Sequence, residues 1–444
     1  MLSLTPHAIT TRNSASLYPL QVQRGLPAVG PLIGVDHLAG GTKFCFDPWA
    51  LYQAGLVTNT NMVVLGQIGK GKSAFVKSYL SRQVLFGRQV FIIDPKGEYA
   101  ALADDLGLDR IFLVPGGHGG RVNPLDPGPL GDLNRLDLRR RRIDMLSALA
   151  STGLGRDLRP EERAALDAAV THCDLTSSSP QLTQIVDILM KPGARMASDL
   201  ATTKGTLAGA IRELSLELRR LVTGDLAGMF DGPTTAEIDW SGRGLVVDIS
   251  AVHNTPALAP VMVCAATWLS QAIAGPSAAK RILVTDEVWS ALRLVAVTRW
   301  LQAVAKLSRT YGVQLIVVAH RISDFSAQGD AGSEAVRQAL GLLADVETRV
   351  IYCQAETERA ALSEMVGLPA AEVDLACRLV PHRALWKVGR ASAVVEHVLS
   401  GRDLRICDTD AAMSEESREF TVTEGSDAGN PRIQGGARPS GGLG

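Results

Sequence analysis

Residues 62–73 read MVVLGQIGKGKS, and the fold turns on them. Met62 to Leu65 is a short apolar run. The turn from Gly66 to Ser73 fits G-x-x-x-x-G-K-[ST], and from Ser73 to Phe86 the apolar residues return at helical spacing. In such a turn the glycines let successive backbone N–H groups converge on phosphate oxygens, and the N-terminus of the following helix adds its positive dipole end. Gly66, Gln67, Ile68, Gly69, Lys70, Gly71, Lys72 and Ser73 are therefore candidate phosphate-binding residues. Lys72 would neutralise the β/γ-phosphates and the Ser73 hydroxyl would ligate Mg²⁺. A second strand, Gln89 to Ile93, completes a β-turn-α-β unit, the setting this motif needs.

A phosphate cradle alone serves kinases, switches and motors alike, so the acidic partner matters. It lies in RILVTDEVWS, residues 281–290. A buried strand ending in Asp286-Glu287 places one carboxylate to hold Mg²⁺ through its water shell. The next lies beside the γ-phosphate, where it can orient and deprotonate water. The competing reading makes the pair a cap for a helix beginning near Trp289. The strand VQLIVVAHRISDF, residues 313–325, ends at His320. In a sheet that inserts this strand between those of Lys72 and Asp286, His320 lies over the nucleotide as a γ-phosphate sensor. Its alternative is a strand-end histidine satisfied by backbone. Arg309, in LSRTYG, is either a finger completing a neighbour's site or cationic decoration of a helix C-terminus. In IIDPKGEYAALADDLG, Glu98 either points to the sheet's C-terminal edge, where ligands of such sheets bind, or is the capping acid of a plain turn. The basic run Arg139 to Arg142 faces all sides of a helix and reads as solvated surface, with DNA contact as the alternative.

Outward from the turn, an α/β rhythm is interrupted once. Residues 1–55 read as an N-terminal arm, 56–123 and 231–407 as the core, 124–230 as a helical insertion, and 408–444 as a disordered Gly/Pro/Ser-rich tail. In the core, strands Gly244 to Ile249, Arg281 to Thr285, Val313 to Ala319 and Thr348 to Cys353 alternate with helices. The helices are Ala257 to Ala274, Trp289 to Ser308 and Glu334 to Ala344. Uninterrupted apolar runs such as LIVVA are what a parallel sheet buried on both faces requires. A final strand pair is expected near Ala384 to Val388 and Ala393 to His397. The fold class is α/β, a mainly parallel sheet flanked by helices with an all-α insertion.

The 444 residues are 46% apolar, with Lys+Arg 45 against Asp+Glu 46, which excludes disordered and fibrous classes and any global basic field. The six cysteines are scattered singly without a CxxC pair, so neither a zinc knuckle nor a disulfide framework is indicated, and a reducing cytoplasm fits. The N-terminus lacks the apolar core of a signal peptide. The uncharged stretch Asn254 to Ala279 is interrupted by prolines and polar residues and reads as a buried crossover helix rather than a membrane span.

Taken in order, GQIGKGKSAFVK, DPKGEY, DGPTTAEIDWSGRGLVVDIS, VTDEVWS and AHRISDF resemble the conjugative-transfer (type IV secretion) ATPases, within the FtsK/HerA-type superfamily of hexameric motors. The later LWKVGRASAVVEHVLSGRDLRICDTDAAM is similar to the C-terminal part of these ATPases, particularly those of actinobacterial mobile elements. The likeness spans Thr42 to Met413. It implies a RecA-like P-loop NTPase fold, ATP and Mg²⁺ as cofactors, hydrolysis, a hexameric ring, and transfer of DNA or protein through a membrane-associated complex. It puts Lys72, Ser73, Asp286 and Glu287 on the nucleotide motifs and Arg309 where related motors carry an arginine finger. Two departures stand out: a short arm replaces the large N-terminal docking domain, and His320 stands where many relatives have Gln. The expected protein is a cytoplasmic ATPase, peripheral at the membrane, without a span of its own. A DNA translocase or helicase and an ATP-gated assembly scaffold are the alternatives.

Overall fold

Within each apolar run, alternate residues leave opposite faces of a strand, so a run buried throughout needs cover on both sides. Met62 and Val64 join one hydrophobic cluster while Val63 and Leu65 join another, and Val90 and Ile92 part from Phe91 and Ile93 in the same way. The computed structural model describes residues 26–126, 135–255, 257–273, 279–286, 302, 304–305, 312–323 and 334–407. The strands are β1 Leu32–Asp36, β2 Thr42–Cys45, β3 Met62–Leu65, β4 Gln89–Asp94, β5 Asp109–Phe112 and β6 Gly244–Asp248. They continue with β7 Arg281–Thr285, β8 Val313–Ala319, β9 Thr348–Ile351, β10 Arg383–Val388 and β11 Ala391–His397. They form one 11-stranded sheet in the order β2-β1-β11-β10-β9-β3-β8-β7-β4-β6-β5. From β9 to β5 all neighbours are parallel, and β10, β11, β1 and β2 add antiparallel pairs.

The first helices are α1 Pro48–Gln53, α2 Lys72–Leu85 and α3 Ala100–Leu106. Between β5 and β6 the described residues hold helices and no strand: α4 Arg135–Leu154, α5 Pro160–Thr176, α6 Leu182–Met190, α7 Ala194–Asp199, α8 Lys204–Ala210 and α9 Arg212–Thr223. Among the described residues the remaining α-helices are α10 Leu258–Ile273, α11 Glu334–Asp345, α12 Arg359–Glu364, α13 Ala370–Arg378 and α14 Gly401–Cys407. One face of the sheet packs on α2 and α3, where Phe75, Tyr79, Leu80 and Leu102 are buried and α14 closes over both helices. The other receives α10, on which α4 of the insertion rests, so the insertion extends the core of that face.

α10 lies in the stretch that could pass for a membrane span. Val261 to Ala266, Trp268 and Leu269 are buried in the crossover from β6 to β7. Among the described residues no helix is long and apolar enough to cross a membrane. The segment read as an arm differs from that reading over residues 26–55: β1 pairs antiparallel with β11, for example Val35 with Glu396, and β2 pairs antiparallel with β1, so both extend the sheet. The region read as a tail, 408–444, and most of the helix read at Trp289 to Ser308 lie outside the described residues.

Trp386 of β10 joins these edge strands to the core. Its ring centroid lies 5.0 Å from those of Phe44 and Phe46 and 5.4 Å from that of Phe75 on α2. Its indole N–H donates to His397 Nε2 at 3.0 Å, so the imidazole proton sits on Nδ1, towards the Tyr352 hydroxyl. Burial pushes the His397 pKa down to about 3, so the ring is neutral at physiological pH. In the insertion, the fully buried Glu162 accepts from Arg156 at 2.8 Å on both oxygens and from the Arg159 backbone N–H at 2.9 Å.

Trp386→Ala is expected to lower stability by about 3–5 kcal/mol, read from urea denaturation, because it leaves an aromatic-lined cavity. The Arg156 guanidinium, above all, holds the Glu162 carboxyl below the ordinary glutamate range. Its contribution is therefore fully present above about pH 4.3 and is lost as pH falls through the depressed folded value. The stability difference between the wild type and Glu162→Gln should shrink as pH is lowered through that window; a constant difference would show that the carboxylate charge contributes nothing.

Candidate functional site

The turn after β3 holds its shape through glycines and through neighbours. Gly71 has φ +104 and precedes α2 with no side-chain cap, so the first-turn N–H groups of α2 are offered to the turn. A Cβ on Gly66 would come 2.4 Å from Tyr352 Cβ, a contact no side chain could occupy. The backbone is stitched at both ends: Gln67 N–H donates to the Cys353 carbonyl at 3.2 Å, and His382 N–H donates to the Lys70 carbonyl at 3.2 Å. Lys72 Nζ donates to the carbonyls of Gly66 and Gln67, the latter at 2.9 Å, which keeps the ammonium at the mouth of the turn. Ile68 is 76% exposed at the tip.

β8 lies between β3 and β7, the insertion that the His320 reading requires. Leu65 pairs with Ala319 and Thr285 with Val317, so Gly66, His320 and Asp286 leave the same edge on three adjacent strands. The strand of Asp286 is about 10 Å from that of Gly66, two strand spacings. His320 is half-buried, and the structure brings it beside the turn. Asp286 is 8% exposed and accepts from the Tyr99 hydroxyl at 2.9 Å. Glu287 and Arg309 lie outside the described residues.

The DPKGEY segment is organised by one carboxylate. Asp94, at the end of β4, accepts on Oδ1 from the backbone N–H groups of Lys96, Gly97 and Glu98 at 3.1, 2.8 and 3.2 Å, and on Oδ2 from that of Tyr99 at 2.9 Å. Burial raises its pKa, and the amides, Tyr99 foremost, oppose the rise. Tyr99 is thereby folded inward, fully buried. Burial and then the Asp286 charge keep its phenol protonated, hence a donor. Lys77 of α2, 1% exposed, lies with Nζ 5.7 Å from the centroid of the Tyr99 ring. Burial lowers its pKa against the pull of Glu98, Cys407, Asp94 and Asp286. Glu98 is half-buried among these groups.

Sequence reasoning singled out Glu98 but missed Tyr99 and Lys77, although both stand inside the motifs it used. The available signal was a lysine among the apolar positions Phe75, Val76, Tyr79 and Leu80 of one helix. In the basic run, Arg139 pairs with Asp167 at 2.7 Å and the buried Arg142 with Asp174, both on α5. These two arginines tie α4 to α5.

A glycine-rich turn between a parallel strand and a helix, with an acid two strands away, defines a P-loop NTPase fold. Residues 55–263 match the family model described as "Helicase HerA, central domain". VirB4 of Thermoanaerobacter pseudethanolicus is similar, with a TM-score of 0.67 and 23% identity over 84% of this chain and 98% of that one. The bacterial conjugative coupling protein TrwB is similar with a TM-score of 0.59 and 15% identity over 88% of this chain and 92% of that one. In the structure of TrwB in complex with ADP and Mg²⁺ the TM-score is 0.55 at 16% identity, covering 77% and 86%. No curated protein matches the chain. The protein thus has the P-loop NTPase fold of these solved structures, and residues 55–263 are similar to the HerA central domain.

Gly66→Ala should weaken nucleotide binding by more than about tenfold in a fluorescent-nucleotide titration, because the turn must move off Tyr352. Gly69→Ala, whose added Cβ meets nothing within 4 Å and which bears only the backbone strain of its φ of +74, should cost less. Equal effects at both positions would remove Tyr352 as the buttress of the turn.

Proposed function

We propose that the protein is a Mg²⁺-dependent ATP-hydrolysing motor subunit that energises conjugative, type IV secretion-type transfer of DNA or protein. The observation that carries this reading is the shared edge of β3, β8 and β7, which gathers the phosphate turn, His320 and Asp286. Gly66 to Ser73 hold the triphosphate, with Lys72 on the β/γ-phosphates. Ser73 and Asp286 would hold Mg²⁺: a hydroxyl and a carboxylate are the hard oxygen donors this ion takes alongside phosphates and water. Bound there, Mg²⁺ would supply charge that neutralises the phosphates. Glu287 takes the proton of the attacking water, His320 senses the γ-phosphate, and Arg309 of an adjacent subunit stabilises charge developing in the transition state.

Trans completion by Arg309 calls for a homo-oligomeric ring, taken as a hexamer, working inside the cell at a membrane-associated transfer complex. The solved relatives named above as VirB4 and conjugative coupling protein TrwB support this setting. The family match to the HerA central domain favours a second reading, a translocase that threads DNA through its own ring.

Lys72→Ala should lose nucleotide binding. Glu287→Gln should bind ATP but turn it over about 10²–10⁴-fold more slowly, the usual worth of a general base. Wild-type turnover in Glu287→Gln would end the base assignment. Specific activity should rise with protein concentration; DNA-stimulated turnover would mark a DNA motor, and DNA-indifferent turnover a secretion energiser. A folded, ATP-bound ring without turnover would instead be an ATP-gated scaffold.

A further inference from the structure

We infer that Tyr99 is a positioning residue for Asp286: its buried hydroxyl fixes the rotation of the carboxylate and thereby sets how well the site takes a divalent cation. The inference deepens the Mg²⁺-nucleotide reading above and rests on it. Asp286 stands one residue beyond β7, past the last ladder pairing recorded for that strand, Thr285 with Val317. The Tyr99 hydroxyl donates to Oδ2 at 2.9 Å from a side chain that is 0% exposed.

Tyr99 is itself held from three directions. Its backbone N–H is bonded to Asp94 Oδ2 at 2.9 Å, in a loop whose three preceding amides bond the other oxygen of that carboxylate. Its ring carries the Lys77 ammonium 5.7 Å from the centroid. Its ring also packs in the cluster beneath α2, with Phe75 and Tyr79. The strut therefore runs from the helix that opens at Lys72, through the β4 loop, to the acid after β7. Outer partners that orient a ligating carboxylate commonly change metal affinity about 10–100-fold when removed.

Tyr99→Phe deletes the hydroxyl and keeps the ring. Binding of a fluorescent ADP analogue is titrated with Mg²⁺ and, separately, in EDTA. The half-saturating Mg²⁺ should rise about 10–100-fold in Tyr99→Phe, with the affinity in EDTA unchanged. In an Asp286→Asn background the same change should have no further effect on Mg²⁺. An unchanged half-saturation, or an equal shift in the Asp286→Asn background, would overturn the inference. If the wild type itself shows no Mg²⁺ dependence, the Mg²⁺-nucleotide reading fails rather than the strut. Should Tyr99→Phe not fold, the wild type labelled with 3-fluorotyrosine decides. A ¹⁹F resonance that moves on adding Mg²⁺ to the ADP complex, and stays in place in Asp286→Asn, supports the strut, and no such resonance removes it.

Discussion

Parallel strands covered on both faces must end together at one edge, and the arrangement of the site depends on that constraint. Each βα crossover returns the chain to the same side, so the turn after β3, the acid after β7 and the histidine after β8 meet although they are far apart in sequence. The burial that enforces this is two-sided. Val63 and Leu65 face the insertion side, Met62 and Val64 face α2, and a polar residue at any of these positions would be unpaired in the interior. The sheet edge is where polar groups become affordable.

The phosphate turn then needs rigidity that its glycines do not provide. Gly66 and Gly71 permit the backbone path, but permissive residues also widen the unfolded and alternative ensembles. The fold compensates by stitching Gln67 to Cys353 and Lys70 to His382, and by setting Tyr352 against Gly66. Tyr352 in turn touches His397, and His397 accepts a hydrogen bond from the Trp386 indole N–H, so the turn is continuous with the aromatic cluster that fastens the edge strands. The antiparallel end of the sheet thus buttresses the turn from the side opposite β8.

The phosphate turn and its flanking elements were legible because local sequence determines them: a motif of fixed spacing, an apolar run before it, a helical period after it. The edge strands were not. β1 and β2 are short, Gly34 interrupts the first, and its partner β11 lies more than 350 residues onward, a pairing that no local propensity encodes. The close approach there is itself specific: a Cβ at Gly34 would meet the Glu396 carbonyl oxygen at 2.0 Å. Arg139 to Arg142 read as a solvated face because adjacent charges on a helix usually are. Arg139 and Arg142 instead found Asp167 and Asp174 on α5, a register visible only after the helices pack.

Tyr99 and Lys77 escaped notice for a different reason. A tyrosine and a lysine within apolar surroundings read locally as core filler and as a surface residue, and only the sheet order brings them beside Asp94, Glu98 and Asp286. Such a cluster is costly: burial opposes the charge of Lys77 and of Asp94 alike, and a well-packed apolar interior would be at least as stable. The Asp94 carboxylate recovers part of that cost through its four backbone hydrogen bonds. What the arrangement gains over an apolar one is direction, because a hydrophobic contact leaves a carboxylate free to rotate and the hydroxyl of Tyr99 does not. A polar interior beside the sheet edge, built around one acid and reaching the helix that begins the phosphate site, is the form expected where orientation rather than stability sets performance.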